Sequence, residues 1–272
     1  MLTQPLPRVH ALADRVAGLG LKALVLPFST IETVPFASEV AHARSLLLGG
    51  QGDGAAALHT TPAWDVVVFV SPGAVMAFSA GTDLARWPSQ TGIAIVGPGT
   101  LETLQAACLP ESVSKVLPTS GQWDADGLLA ALASSAAQPR RLLVVCGENV
   151  RTPWVERLGD LGISVEILIA YRRVPTPAPC RAVEQFKALC CEAVPWVGVV
   201  TLGQTAVALA ALSDSWPPDA VRWMHSQCIL TIHPRIEKAL ETAGFRAVIR
   251  IAPGVASLDG ALSSRLWLRA QP

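Results

Sequence analysis

The sequence predicts an α/β fold in which parallel sheets are covered by helices on both faces. Short runs rich in β-branched residues recur along the chain, and each is followed by a turn of small residues and then by a stretch with helical periodicity. The runs are continuously apolar rather than alternating, which is typical of strands buried on both faces of a parallel sheet. Strands of this kind are predicted at 66–70, 93–96, 142–145, 197–200 and 228–231.

Each predicted strand has its own helix. The helical stretches are 74–78, 100–104, 205–212 and 235–240, together with a helix through Trp154 and Leu158. Gly162 and Gly244 follow helical stretches and are predicted to end them. Further strands are predicted at 22–27, 164–169 and 247–251.

Two proline-rich segments, 27–35 and 170–179, predict that one domain is inserted into another. Proline disfavours helix in the residue before it, so both segments favour extended backbone. We therefore expect a two-stranded linker between two parallel-sheet α/β domains. The predicted boundaries are 1–30 with 176–272 for the first domain, 37–169 for the inserted one, and 31–36 with 170–175 for the linkers.

The composition argues against several classes of protein. Lys plus Arg and Asp plus Glu are each 21, so the net charge is zero and nucleic acid is not an expected partner. A hydrophobic content of 51% argues against disorder. The longest uncharged run, 193–213, is interrupted by Thr201, Gly203 and Gln204, which predicts a strand, a turn and a helix rather than a membrane span.

The cysteines and the first residues predict a cytoplasmic protein. None of the six cysteines forms a C-x-x-C pair, and no grouping with histidine has zinc spacing, so we expect neither a disulfide framework nor a metal site. Residues 1–5 lack the charged and apolar regions of a signal peptide.

The turns after the predicted strands are the expected location of a site, because ligands of open α/β sheets bind beyond the carboxyl ends of the strands. These turns contain glycine, proline and hydroxyl groups, but no carboxylate pair and no Ser-His-Asp order. Helix N-termini supply free N–H groups and a positive dipole end, which suit anions. Gly97 and Gly99 alone do not specify a phosphate site.

Four segments resemble the uroporphyrinogen-III synthase family, in the right order and over nearly the whole chain. They are 64–75 (WDVVVFVSPGAV), 95–100 (IVGPGT), 123–129 (WDADGLL) with 141–147 (RLLVVCG) and 170–175 (AYRRVP), and 232–236 (IHPRI) with 243–245 (AGF). The resemblance implies two α/β domains joined by a two-stranded connection. It also implies a monomeric enzyme of haem biosynthesis that uses no cofactor and no metal.

The reaction that the resemblance implies starts from hydroxymethylbilane, a linear tetrapyrrole with many carboxylates. The substrate loses its terminal hydroxyl and closes to uroporphyrinogen III with inversion of ring D, by way of a spiro intermediate. Members of the family bind much of the ligand through backbone amides. Positioning of the chain dominates, because the free substrate cyclises by itself to the wrong isomer.

Tyr171 matches the tyrosine that the family carries at the crossover, and it is the predicted catalytic residue, a weak acid for the departing hydroxyl. The predicted substrate-binding residues are Ser71, Pro72, Gly97, Gly99, Thr100, Arg151, Arg172, Thr201, Gly203, His233 and Arg235. Each has a structural alternative: Tyr171 as a packing residue of the hinge, the arginines as solvated charges, and the remaining residues as ordinary turns or helix starts.

The sequence departs from the family pattern at three turns. Gln4 and Cys146 stand where arginines are usual, and Leu202 replaces a hydroxyl residue. These departures favour an alternative, a catalytically impaired member that binds an anionic tetrapyrrole or has a regulatory role. A third interpretation is an unrelated two-domain protein that binds a small molecule.

Overall fold

The computed structural model describes residues 1–48, 63–118, 122–135, 138–148, 153–265 and 267–268. The chain divides into two compact units. We call residues Met1–Ile31 with Val174–Pro272 the discontinuous unit, and residues Glu32–Arg173 the inserted unit.

The described residues form nine strands and eleven α-helices. The strands are β1 (Ser29–Glu32), β2 (Val66–Phe69), β3 (Gly92–Ile95), β4 (Lys115–Val116), β5 (Arg141–Gly147), β6 (Ser164–Pro175), β7 (Val197–Val199), β8 (Cys228–Thr231) and β9 (Ala247–Arg250). The helices are α1 (Arg8–Gly18), α2 (Ala37–Leu48), α3 (Pro72–Ser79), α4 (Pro98–Ala106), α5 (Ala125–Ala133), α6 (Pro153–Asp160), α7 (Cys180–Cys191), α8 (Gly203–Ser213), α9 (Pro218–Ser226), α10 (Pro234–Thr242) and α11 (Val255–Ser263).

The sheet of the inserted unit has parallel strands, and its strands β2 and β3 are buried on both faces. Among the described residues the strand order is β1-β6-β5-β2-β3-β4, where residues 29–31 of β1 belong to the discontinuous unit, and the pairs from β6 to β4 are all parallel. Val66 and Val68 of β2 pack in a cluster with Leu128 and Leu158 from two helices. On the opposite face Phe69 meets Phe78 edge to face, with ring centroids 5.5 Å apart. The continuous apolar character of β2 follows from this double burial.

β6 is longer than the sequence indicates. The strand runs without a break from Ser164 to Pro175, so residues 170–175, expected as a linker, continue a strand of the sheet. Its first part pairs with β5, and β1 is its other neighbour. Tyr171 therefore lies within a hydrogen-bonded strand.

The sheet of the discontinuous unit is parallel as well. β8 lies between β7 and β9, and Leu2 forms parallel bridges with both Val199 and Val25. Ile229 packs with residues of α7, α8, α9 and α10, whereas Leu230 packs with residues of α1 and α11. The two faces of β8 are thus buried by different helices.

Most predicted elements are present, with one difference near the start of the chain. The strand expected at 22–27 is reduced to a bridge at Val25, although the backbone of Leu2 still donates to Leu24 and accepts from Leu26. Gly162 and Gly244 end their helices with positive φ angles of 72° and 96°. Within the described ranges, no helix has the length and apolar character needed to cross a membrane.

Candidate active site

The carboxyl ends of β2 and β3 place two predicted turns side by side in the inserted unit. Pro72 is the first residue of α3, and Gly97 is the N-cap of α4. The helices pack against each other, and a Cβ added at Gly99 would lie 3.7 Å from Cγ of Pro72. Thr100 is buried beneath the turn. The structure therefore brings together the predicted residues of these turns.

Ser71 caps α3. Its backbone is extended, and its Oγ accepts a hydrogen bond from the N–H of Ala74 at 3.1 Å. This is the usual geometry of a serine N-cap, which satisfies one of the free amides of the first turn. The N-cap of α4 is Gly97, which has no side chain, so the N-cap residue supplies no side-chain acceptor for the amide of Gly99.

Tyr171 reaches the same turn from β6. Its side chain is 4% exposed, and its hydroxyl oxygen lies 3.0 Å from Oγ of Ser71. Either hydroxyl can be the donor in this hydrogen bond. The structure thus brings the predicted catalytic residue and a predicted binding residue into direct contact.

A change of register in the sheet accounts for the direction of Tyr171. Cys146 pairs with Ile169, but the next residue, Gly147, pairs with Tyr171, so Ala170 is an extra residue on β6. A β-bulge of this kind re-aims the side chain that follows it. The N–H of Glu148 donates to the carbonyl oxygen of Tyr171 at 2.7 Å and fixes the backbone beyond the bulge.

Gly147 is a site residue that the sequence analysis did not identify. A Cβ added at this position would lie 2.6 Å from Cζ and 3.0 Å from the hydroxyl oxygen of Tyr171, so any side chain would collide with the phenol ring. A glycine at the end of an apolar strand often marks such a close approach, and this was the available signal. We call Ser71, Gly147 and Tyr171 the Tyr171 cluster.

Arg172 and Cys146 neighbour the Tyr171 cluster in the sequence. The first forms an ion pair, and the second carries no charge. The guanidinium of Arg172, a predicted binding residue, pairs with the carboxylate of Glu32 at 2.8 Å. Burial raises the pKa of the Cys146 thiol, so this side chain remains uncharged and is a poor nucleophile. Arg151, also predicted to bind substrate, lies outside the described residues.

The discontinuous unit has a comparable edge at the carboxyl ends of β7 and β8. We call residues 201–203 and 231–235 the Thr231 edge. Thr201 and Gly203 are half-buried at the start of α8, whose N-cap, Leu202, has no side-chain oxygen. The N-cap side chain therefore accepts from none of the first amides of α8, which point towards the edge.

α10 begins next to α8 and is capped. Nδ1 of His233 accepts a hydrogen bond from the N–H of Arg235 at 3.0 Å, so this imidazole is the N-cap of α10. The side chain of Arg235 is exposed at the start of the same helix. The helices α8 and α10 pack together, which places the predicted residues of both turns at one edge.

Thr231, the last residue of β8, is a second residue that the sequence analysis missed. It is 1% exposed, and its Oγ1 has no hydrogen-bond partner among the described residues. Side chains alternate along a strand, so Thr231 shares a face with Ile229, which packs against α8 and α10. A hydroxyl at the end of an apolar strand, just before a helix start, was the signal in the sequence.

Both edges therefore present the same chemistry. They offer hydroxyl groups and helix amides, which donate hydrogen bonds to oxyanions, and the Tyr171 cluster adds a weak acid.

A model of the family described as uroporphyrinogen-III synthase HemD matches residues 10–258. The chain belongs to the uroporphyrinogen-III synthase family.

A solved structure of a uroporphyrinogen-III synthase shares the fold, and two others are similar at lower TM-scores. A mutant enzyme from the extremely thermophilic bacterium Thermus thermophilus is 16% identical, with 99% of this chain and 97% of that chain covered and a TM-score of 0.52. The wild-type enzyme from the same organism is 17% identical, with 99% and 96% covered and a TM-score of 0.42. The Helicobacter pylori enzyme is 13% identical, with 79% and 87% covered and a TM-score of 0.47. A search of curated protein sequences gave no significant match.

These comparisons confirm the family and the two-domain α/β fold class inferred from the four sequence segments. The family acts in haem and porphyrin biosynthesis and binds a tetrapyrrole substrate. The roles assigned to individual residues of the Tyr171 cluster and the Thr231 edge stay predictions.

Proposed function

We propose that the protein is an active uroporphyrinogen-III synthase, a lyase that cyclises hydroxymethylbilane to uroporphyrinogen III with loss of water. It acts in the cytoplasm as a monomer and needs no cofactor. The observation that carries this proposal is the buried phenol of Tyr171 at the carboxyl-end edge of the sheet. Its oxygen lies 3.0 Å from Oγ of Ser71, which holds it in place. Family membership supplies the reaction, and the phenol supplies the weak acid that the reaction needs.

In the proposed mechanism the phenol of Tyr171 donates its proton to the terminal hydroxyl of the substrate. The carbon–oxygen bond breaks, water leaves, and the pyrrole nitrogen stabilises the resulting carbon centre. Ring D then attacks through the spiro intermediate, and the rearranged ring loses a proton. That proton returns to the phenolate, so one water leaves and the protein ends as it began.

The remaining contribution to catalysis is the positioning of the substrate. The substrate carries many carboxylates, and the open amides of α4 and α8 are suitable donors for them. Holding the chain so that the correct carbon attacks can lower the barrier by several kcal/mol, on the order of 7–11 in favourable cases. The small number of charged side chains at both edges is consistent with binding through backbone amides.

The decisive experiment supplies hydroxymethylbilane in situ and separates the product isomers. We expect the type III isomer, formed faster than the spontaneous cyclisation. Production of the type I isomer alone, at the rate measured without protein, would contradict the proposal.

A second candidate is a family member that binds the tetrapyrrole without controlling the isomer. The observation that favours it is Cys146, a buried thiol whose pKa is raised by burial, where the family often carries an arginine. Leu202, at the start of α8, and Gln4 point the same way. Binding of the porphyrinogen product, measured by titration, together with only the type I isomer in the assay would support this candidate.

A further inference from the structure

Ser71 makes two hydrogen bonds, and one of them joins it to the phenol of Tyr171. The Ser71 hydroxyl accepts from the N–H of Ala74 at 3.1 Å and lies 3.0 Å from the phenol oxygen. A hydroxyl has one hydrogen to donate, and the Ala74 amide already occupies one of its acceptor positions. If Ser71 donates that hydrogen to the phenol oxygen, all the donors in the chain point the same way, from Ala74 to Ser71 to Tyr171.

This direction leaves the hydrogen of the Tyr171 phenol available for a ligand. Donors that follow one another in a chain polarise each other, so the phenol becomes a stronger donor. The positive end of the α3 dipole also lies at Ser71 and stabilises negative charge that develops on the phenol oxygen as its proton is given up.

The position of the ring is restricted on its other side. Gly147 lies so close that a Cβ there would be 2.8 Å from Cε2 of Tyr171. The bulge at Ala170 and the hydrogen bond from Glu148 fix the backbone from which the ring projects. Ser71 is then the contact that sets the position of the phenol oxygen itself.

We propose that Ser71 is a positioning residue that acts on the reaction through Tyr171 rather than by contacting the substrate. The proposal rests on the proposed function, in which the phenol donates a proton to the departing hydroxyl. Ser71 neither gains nor loses a proton overall: it donates a hydrogen bond to the phenol oxygen in the acid form and keeps that bond to the phenolate.

A double-mutant cycle tests this proposal. Ser71→Ala should lower kcat by about 10-fold to 100-fold and leave KM nearly unchanged, because general acid–base groups contribute about 100-fold or more and only part of that depends on orientation. Ser71→Ala combined with Tyr171→Phe should be no slower than Tyr171→Phe alone, because both changes act on one group. Multiplied losses in the double variant would show that Ser71 acts on the substrate directly.

Two further variants separate positioning from helix capping. Asp124 caps α5 in the same unit, with Oδ1 accepting from the N–H of Gly127 at 2.9 Å. Asp124→Ala removes a comparable cap and should leave kcat unchanged. Ser71→Thr keeps the hydroxyl and should restore most of the turnover lost in Ser71→Ala. An equal loss of kcat in Asp124→Ala would overturn the proposal.

A spectroscopic readout does not depend on activity. Tyr171 is the only tyrosine in the chain, so tyrosine labelled with carbon-13 at Cζ gives one resonance. This resonance should shift in Ser71→Ala and stay in place in Asp124→Ala. If the wild-type protein makes no type III product, the proposed function fails, but the resonance still decides whether Ser71 positions the phenol. An unshifted resonance in Ser71→Ala would refute the positioning role.

Discussion

In each unit a helix that is capped by a side chain packs against a helix whose N-cap residue has no side-chain acceptor. In the inserted unit Ser71 caps α3, while α4 starts after Gly97. In the discontinuous unit His233 caps α10, while α8 starts after Leu202. Each unit thus has helix amides without an N-cap side-chain acceptor at the carboxyl-end edge of its own parallel sheet, which is the arrangement that suits an anionic ligand.

The two edges differ in how they use their hydroxyl groups. Ser71 and Tyr171 are hydrogen-bonded to each other, and Ser71 also accepts a hydrogen bond from the first turn of its helix. Thr231 is buried, and its hydroxyl finds no partner in the part of the chain that the structure describes. A buried unsatisfied polar group costs roughly 1–3 kcal/mol. The Tyr171 cluster therefore fixes the side chain of Tyr171. At the Thr231 edge, the hydroxyl of Thr231 has no partner among the described residues, which lowers the stability of the fold.

The largest expected effect is that of Tyr171→Phe. Removal of the phenol hydroxyl should lower kcat by about 100-fold to 10,000-fold, since it removes the proposed general acid. Binding of substrate should weaken much less, because the ring and its packing remain. Single-turnover kinetics with separately measured substrate affinity test this prediction, and an unchanged turnover removes Tyr171 from the mechanism.

Gly147→Ala should come next in size. The added methyl group would overlap the Tyr171 ring and displace the phenol, so kcat should fall by about 100-fold, towards the value of Tyr171→Phe. The free energy of unfolding should fall by about 1–3 kcal/mol from overpacking. Steady-state kinetics and denaturant unfolding measure the two effects.

Gly159→Ala is the matched control in α6. A Cβ at Gly159 meets no described atom within 4 Å, so this change should raise the free energy of unfolding by up to about 1 kcal/mol and leave kcat alone. Normal turnover in Gly147→Ala would show that the close approach to Tyr171 has no role in the reaction.

Thr231→Val should separate binding from stability at the other edge. The substitution removes an unsatisfied hydroxyl and keeps the shape, so the free energy of unfolding without ligand should stay level or rise by about 1 kcal/mol. The dissociation constant for the tetrapyrrole should rise about 10-fold, the loss of one hydrogen bond to a charged group. Denaturant unfolding and ligand titration give the two quantities.

Thr3→Val provides the control in the same sheet. The hydroxyl of Thr3 donates to the carbonyl oxygen of Val199 at 3.0 Å, and this change should lower the free energy of unfolding by about 1 kcal/mol. Its affinity for the ligand should match that of the wild type. Equal affinities in Thr231→Val and wild type would exclude Thr231 from the binding site.

The smallest expected effect is a change in the free energy of unfolding at acidic pH. His225, in α9 of the discontinuous unit, packs edge to face on Phe245. Burial lowers the pKa of its imidazole, and the charge of Arg246 lowers it further by a smaller amount. The unfolded chain therefore binds the proton more readily, so the free energy of unfolding should fall as the pH drops below the ordinary value of about 6.5. His225→Gln should flatten this dependence between about pH 7.5 and about pH 5.5, as measured by denaturant unfolding. An unchanged slope would contradict the assignment.

The sequence predicts the secondary structure well where the pattern is local. The strands at 66–70, 142–145 and 228–231 and their helices are present, because continuous apolar runs and turn residues record burial on both faces. The strand expected at 22–27 is only a bridge at Val25. An apolar run shows that a segment is buried but does not determine how many neighbours it pairs with.

The site was predicted less completely than the fold. Ser71 and Tyr171 were both candidates, but nothing in their separate segments indicates that the two hydroxyls touch. That contact depends on the extra residue at Ala170 and on the missing side chain of Gly147. The position of Gly147 at the end of an apolar strand signals a close approach, but the sequence does not show that the approaching group is the ring of Tyr171.

The sequence by itself determined the α/β class and the family, because these depend on periodicity and on the order of segments along the chain. Only the tertiary structure decided which polar groups are satisfied and which are free. The contact of Ser71 with Tyr171 joins residues far apart in the chain, and the lack of a partner for Thr231 among the described residues likewise depends on what surrounds it in the fold. Hydrogen-bond satisfaction is a property of three-dimensional neighbours, so sequence patterns alone cannot specify it.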